Sequence, residues 1–318
     1  MNGHGPAAIA VTGATGWIGR ALLAELDARG LPRSAVDRAA LHGRAPWPAQ
    51  AGCTAVHLAA IAHRDARAVS AEEYDRVNRG LALVAAARAR DAGARRFVFV
   101  STAAVMGPRS ARPLVESDPP APSDEYARAK LAAERELVAK LAGSGLSLVV
   151  VRPPLVYGPG VQANFLALLN LATRRIPLPL GAARAQRSAI YIDNLVDALV
   201  HAATSPAIDG GTYFVRDDTE RSVSEWVAAI RAVRGMPPRL LDVPPAAMAV
   251  AARAIRREGI SDRLFSALQI DDRAFRRTGW QPPVDPMTAL RRTVAWHEAH
   301  GRRGRNGSIA RAGRRGRS

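Results

Sequence analysis

The chain has 318 residues, of which 48% are hydrophobic, and a formal net charge of +17. That length and apolar content exclude a small disulfide-stapled fold and a globally disordered chain, and fit one large domain or two joined ones. One cysteine, Cys53, leaves no intrachain disulfide and points to a reducing, cytoplasmic setting.

The positive charge by itself suggests a polyanion or an anionic membrane. Its distribution argues otherwise. Only Lys130 and Lys140 are lysines, and arginine is spread along the whole chain, which reads as a compositional habit. No specific nucleic-acid partner is expected. Residues 301–318 carry seven arginines and five glycines with no core-forming pattern, so a disordered basic tail is expected. A weak contact with an anionic membrane surface is its sharper reading. The start, MNGHGPAAIAVTG, lacks the pattern of a signal peptide. The weakly polar run from Pro244 to Ile255 is short and broken by Arg253, so no transmembrane segment is expected.

In chain order, Ala8 to Thr12 is a short apolar strand and Trp17 to Gly30 a helix. Ala55 to Ala59 is apolar again, Ala71 to Ala92 helical, and Arg96 to Ser101 rich in β-formers. A helix follows over Asp124 to Ala142, then a fully apolar strand over Leu146 to Val151. Apolar strands alternating with amphipathic helices predict an α/β fold, a doubly wound parallel sheet of Rossmann type. After Arg152 prolines cluster and helical pieces dominate: Ala163 to Arg174, Asp193 to Ala203, Ser222 to Arg234 and Pro286 to His300. The expected division is a dinucleotide-binding domain over 1–165 with 186–217 returning to it, a smaller, mostly helical substrate lobe over 166–300, and the tail.

The first strand runs into TGATGWIG and then a helix. Gly13 permits the tight turn, Gly16 lets backbone approach a pyrophosphate, and Gly19 lets helix pack on strand. Backbone N–H groups and the helix N-terminus face the anion, which makes Thr15, Trp17 and Ile18 cofactor candidates as well. Asp37 lies 18 residues after Gly19, where an acid binds the adenosine ribose hydroxyls. That favours NAD. Arg33, Arg38 and Arg44 surround it, and an arginine there accepts a 2′-phosphate, so NADP stands as the alternative.

Ser101 and Thr102 close the RFVFVS strand at the edge where such sheets bind ligands. Tyr126 follows, with Lys130 four residues on and therefore on the same helix face. Hydride chemistry at a carbinol needs a base on the hydroxyl. A neighbouring ammonium and a cationic nicotinamide lower a tyrosine's pKa toward that role. With five tyrosines and two lysines in the chain, this spacing arises by chance only about three times in a hundred.

These residues resemble the extended short-chain dehydrogenase/reductase family, in particular its UDP-galactose 4-epimerase-like, sugar-nucleotide branch. The motifs are TGATGWIG, HLAA (His57 to Ala60), Asn78, FVSTAAVMG (Phe99 to Gly107), Tyr126-x-x-x-Lys130 and RPPLVYGPG (Arg152 to Gly160). The resemblance implies Thr102, Tyr126 and Lys130 as the catalytic set. It implies Leu58, Ala59, Ala60, Asn78, Ser101, Pro153 and Val156 around the cofactor. Thr102, Ala103, Asn164, Arg187 and Arg263 fall on the side of a nucleotide-sugar substrate, and a homodimer is the family's usual assembly. The implied reaction is 4-epimerisation of a UDP-hexose or UDP-N-acetylhexosamine. The alternatives are reduction of a UDP-6-deoxy-4-ketohexosamine and a non-catalytic NAD(P)-binding role. Ala103 and Ala104 stand where a dehydratase carries an acidic pair, which argues against dehydration. One departure stands out: only 20 positions separate Asp37 from His57, so the adenine side is abbreviated.

No metal is expected. His297 and His300 lack the four-residue spacing of a His-Glu-x-x-His helix. His57 and His63 read as packing or turn residues.

Overall fold

The computed structural model describes residues 7–49, 51–61, 69–244, 246–247 and 266–312, with side chains up to residue 300. His63, Arg263, residues 313–318 and most of the 244–255 run lie outside the described residues.

The chain divides into two compact units. The first comprises Met1–Val156, Gln186–Glu220 and Ser266–Pro283. It holds a six-stranded sheet in the order β2-β1-β3-β4-β5-β8. The strands are β1 (Ile9–Thr12), β2 (Arg33–Val36), β3 (Thr54–His57), β4 (Arg96–Val100), β5 (Ser147–Arg152) and β8 (Gly211–Phe214). Every pairing is parallel, and β1, β3 and β4 are buried along their whole length. That is the behaviour of strands covered on both faces. Helices α4 (Leu81–Asp91) and α5 (Glu125–Leu141) pack on one face over Ala10, Ala55, Phe97, Phe99 and Val150. Helices α1 (Trp17–Ala28) and α7 (Ile192–Thr204) pack together elsewhere on the sheet, α7 against β3 and β4. A parallel sheet sends all its carboxyl ends to one edge, so the turns after Thr12, His57, Val100 and Arg152 gather there.

Between β3 and β4 the helix over Ala71–Asp91 is interrupted. Short α3 (Ala71–Tyr74) leads into a π-helical stretch, Asp75–Gly80, before α4. Such a widened turn re-aims the side chains on it, and Asn78 sits at its centre.

Two parts depart from the expected division. Ser266–Pro283 belongs to the first unit. Backbone pairing of Ile270 with Leu114 and of Leu268 with Arg187 holds it there, and isolated bridges leave no periodic signature. The stretch Tyr157–Ala185 falls in the second unit, which also contains Arg221–Phe265 and Val284–Ser318. There α6 (Ala163–Ala172) packs on α8 (Val223–Val233), and α8 on the last helix, α10 (Pro286–Ala312). Tyr157, Phe165 and Trp226 form its aromatic centre, with centroids 5.0–5.2 Å apart. The backbone of α10 continues to Ala312, into the segment expected to be disordered. Elongating a formed helix adds one hydrogen bond per residue, whereas starting one is costly.

At the β1–α1 turn, Gly13 has φ +68° and lies so close to the β3 loop that a Cβ would stand 2.6 Å from Ala59 N. A Cβ on Gly19 would stand 2.2 Å from the Gly13 carbonyl. Gly19→Ala is expected to destabilise the fold by about 1–3 kcal/mol, the usual scale of overpacking. Urea unfolding checks this, and an unchanged midpoint would contradict the close packing.

Candidate active site

Helix α5 carries the centre of the site. Asp124 caps it, accepting the Ala127 N–H at 2.8 Å. Tyr126 therefore stands in the first turn, where a helix favours negative charge. Its half-buried ring meets Tyr74 edge-on, with centroids 6.3 Å apart. Val69, Ala129 and Ile61 complete that wall.

The Thr102 side chain is placed to hydrogen-bond the Tyr126 hydroxyl. Thr102 Oγ1 also accepts the Ala104 N–H at 3.2 Å, capping the 3₁₀ turn Ala103–Met106. A hydroxyl that accepts at its oxygen keeps its proton to donate, here toward the phenol. That bond favours the phenolate, but burial outweighs it and Asp124 adds to burial, so the Tyr126 pKa is pushed up. The lowered value expected from the sequence is thus corrected for the protein alone.

Lys130 is turned toward the end of β4. It is only 2% exposed, its Nζ donates to the Val100 carbonyl at 2.8 Å, and it lies 4.7 Å from the centre of the Phe99 ring. Burial lowers its pKa to about 8, with Glu134 pulling the other way. One turn further along α5, Glu134 accepts from Ser101 Oγ and from both Nε (3.0 Å) and Nη2 (2.5 Å) of Arg152. Tyr126, Lys130 and Glu134 form one stripe at i, i+4 and i+8. The Ser101 hydroxyl proton is committed to this ion pair, so toward any further group its side chain can only accept.

The turns around the glycine motif are fixed just as firmly. Thr12 Oγ1 accepts the N–H groups of Leu58 (3.3 Å) and Ala59 (3.4 Å) and lies 2.8 Å from His57 Nδ1. Two accepted bonds leave the Thr12 proton for that ring nitrogen. His57 stacks between Phe97 and Phe99, and burial, helped by the Lys130 charge, lowers its pKa to about 3. The ring is neutral and structural. Asn78 receives the Ile61 N–H at 2.8 Å and donates to the Ile61 carbonyl at 3.0 Å. Leu58, Ala59 and Ala60 are therefore clamped at both ends.

A dinucleotide fits this turn. The N-cap of α1 is Gly16, no side chain caps the helix, and its first turn has no acid. By contrast α2 (Arg38–Leu41), α3, α5 and α8 are capped by Asp37, Ser70, Asp124 and Ser222. At Gly16 a Cβ would meet only the Gly13 carbonyl, at 3.2 Å, so the face over the helix N-terminus stays open to a pyrophosphate. Thr15 is exposed there, with Trp17 and Ile18 half-buried. Asp37 directly follows β2, spends one carboxylate oxygen on the Ala40 N–H (2.7 Å), and neighbours exposed Arg38. The abbreviated stretch after it forms only four-residue α2 and a loop over buried Trp47.

The remaining candidates scatter. Pro153 is buried, and its carbonyl accepts the Ala103 N–H at 2.8 Å; Val156 is half-buried. Arg187 donates to the Ser266 carbonyl at 2.7 Å. Asn164 lies exposed in the second unit, beside Ala163 with its left-handed φ of +51°. His297 and His300 have separate partners, Asn170 Oδ1 (2.8 Å) and the Trp296 carbonyl (2.9 Å). Glu134 and Thr12 escaped the sequence analysis. Glu134 was detectable as a second charge, after Lys130, on the apolar face of α5.

A parallel sheet of this order, the open glycine turn and the Thr102–Tyr126–Lys130 cluster together define a nicotinamide-dinucleotide-dependent enzyme. The comparisons with known proteins give the family. The model of the NAD dependent epimerase/dehydratase family matches residues 9–215. A UDP-glucose 4-epimerase of Vibrio cholerae is 32% identical, over 91% of this chain and 95% of that protein. A ceramide reductase of Caulobacter vibrioides is 27% identical over 92% and 95%. The solved structure of MoeE5 in complex with UDP-glucose and NAD shares the fold, with TM-score 0.70 and 24% identity over 92% of this chain and 99% of that one. The chain belongs to the NAD-dependent epimerase/dehydratase family.

Lys130 also yields a stability prediction. Its native pKa of about 8 lies below the ordinary 10.5. Between those values the unfolded chain keeps a proton that the native chain has released, so rising pH stabilises the fold, by up to about 1.4 kcal/mol per pH unit. Below pH 8 both states are charged, and the penalty on the native state is complete. Wild type should therefore gain about 3 kcal/mol relative to Lys130→Met from pH 8 to 10.5. Parallel pH dependences in chemical unfolding would show that Lys130 is not desolvated.

Proposed function

We propose that the chain is a 4-epimerase of a nucleotide-linked sugar, a UDP-hexose or UDP-N-acetylhexosamine, acting through a 4-keto intermediate. The observation that carries this reading is the placing of the Thr102 side chain beside Tyr126, on the helix that also bears buried Lys130. The full-length likeness to an epimerase supports it.

The C4 hydroxyl of the sugar lies between Tyr126 and Thr102. Thr102 holds that oxygen by the proton it now offers to the phenol. Tyr126 takes the hydroxyl proton as the carbonyl forms and returns it on the reverse step. A nicotinamide dinucleotide held at the Gly13–Gly19 turn would supply the hydride acceptor and donor. Asp124 and burial make Tyr126 a reluctant base in the protein alone, so the activating charges are the Lys130 ammonium and the cofactor itself. Lys130 is held in place by the Val100 carbonyl. Asn164 and Arg187 take the diphosphate in this reading, and Arg263 is a further candidate.

One observation favours a second reading, NADPH-dependent reduction of a 4-keto sugar. A tyrosine whose pKa is raised holds its proton firmly, as an acid that protonates a carbonyl oxygen should. The likeness to a reductase supports that direction. A homodimer through α4 and α5 accords with two large apolar side chains left exposed on them, Val84 and Val138.

Two measurements test these readings. Tyr126→Phe should leave folding and cofactor binding intact and lower turnover by at least about 100-fold; near-normal turnover would remove Tyr126 from the chemistry. UDP-sugar offered to the purified protein should be epimerised with no net change in reduced-nicotinamide absorbance. Stoichiometric loss of added NADPH with a 4-keto sugar would replace the epimerase by the reductase.

A further inference from the structure

The second unit contains a pocket of about 330 Å³ whose wall includes four arginines, Arg175, Arg231, Arg234 and Arg239, together with Met236 and Pro237. It shares no residue with the Tyr126 centre.

Arg231 is the deepest of the four and fully buried. Its guanidinium donates to backbone carbonyls alone: Ala172, Arg174 and Ile176 at the end of α6, and Pro238 and Arg239 across the pocket. Carbonyls at a helix C-terminus lack partners within the helix, so this staple satisfies them. It does not neutralise the charge. Burial and the neighbouring Arg239 cation both disfavour the charged form of Arg231.

The other three stand nearer the opening. Arg234 pairs with Glu298 at 2.6 Å. Among the described residues that is the single carboxylate in an ion pair with any of the four, which leaves three positive charges uncompensated. The Arg175 guanidinium makes no hydrogen bond among the described residues. That of Arg239 makes one, at 3.4 Å, to the Arg175 carbonyl. Arg239 also holds a left-handed φ of +40°, a conformation that a side-chain-bearing residue adopts only when its surroundings hold it there.

An arginine-rich chain scatters arginines, and several of them meet acids. Arg29, Arg79, Arg152 and Arg276 all face carboxylates. Three like charges converging on one small cavity repel one another, and a bound anion relieves that repulsion. Free guanidinium forks match the paired oxygens of a phosphate.

We propose that this pocket binds a phosphate group, gripped by Arg175 and Arg239 at the rim and by the charges of Arg234 and Arg231 behind them. Two sources offer that chemistry. One is a soluble phosphate compound. The other is the headgroup of an anionic lipid, which suits Ile176 and Leu241, 52% and 53% exposed and close in sequence to the rim arginines. Pairing of Leu178 with Leu240 holds those two segments side by side.

The test compares the full chain with Arg175→Ser/Arg239→Ser, both saturated with NAD so that the dinucleotide site is filled. Both substitutions lie at exposed positions outside the catalytic machinery, and matching melting curves and turnover confirm that the variant is intact. Calorimetric titration with inorganic pyrophosphate at low salt forms one arm. Co-sedimentation with phosphatidylcholine vesicles, with and without phosphatidylglycerol, forms the other. The arginines after residue 300 are present in both proteins, so a difference between the two reports the pocket. Pyrophosphate affinity at least about tenfold weaker in the variant supports the site and a soluble source. Loss of phosphatidylglycerol-dependent sedimentation supports the site and a lipid source. Unchanged behaviour in both arms overturns the proposal.

Discussion

Two opposite charges buried on one helix decide where the tyrosine stands. Lys130 bonds the end of β4 through Val100, and Glu134 bonds Arg152 at the end of β5 and Ser101 just past β4. Buried charges are costly unless every one is partnered. Here each partner is a different strand end, so the helix has essentially one low-energy position over the sheet edge. Tyr126, a turn before Lys130, is thereby delivered to Thr102. Removing Glu134 strands the Arg152 charge in the core, and removing Lys130 leaves the Val100 carbonyl without its donor, so the fold and the geometry of the site depend on the same two side chains.

The glycine turn follows the same logic with neutral groups. Gly13 approaches the β3 loop so closely that no side chain is tolerated. Thr12 then reaches the backbone of Leu58 and Ala59, and His57 stays uncharged between two phenylalanines to receive the Thr12 proton. Asn78, turned inward by the π-helical stretch, holds Ile61 from the other side. The loop that must meet the cofactor is thus preorganised by polar groups that are themselves buried and satisfied.

Carbonyls hold a buried cation in the second unit, as they hold Lys130 in the first. That cation, Arg231, is solvated by carbonyls instead of by an acid. Such an arrangement keeps the surrounding field positive, whereas the Glu134–Arg152 pair cancels its own. The Lys130 and Arg231 charges therefore both stay uncancelled, one on the helix of the tyrosine and one in the arginine pocket.

Much of the site is legible in the sequence because it depends on short-range order. The glycine spacing, the apolar strands and the Tyr126–Lys130 interval are set by chain geometry within a few residues. The parallel sheet follows from apolar strands alternating with helices. Other features arise only when distant segments meet. The Glu134–Arg152–Ser101 network joins a helix to two strand ends. The return of Ser266–Pro283 to the first unit depends on isolated backbone bridges. The upward Tyr126 shift in the protein alone lies outside the sequence for the same reason: desolvation depends on what surrounds a group, and proximity along a helix does not reveal it. Sequence alone determined which residues can carry a proton and hold a dinucleotide phosphate. Tertiary structure decided which of them are buried, what each is bonded to, and hence which charge state each holds, because burial and pairing are properties of the packed core and not of the chain.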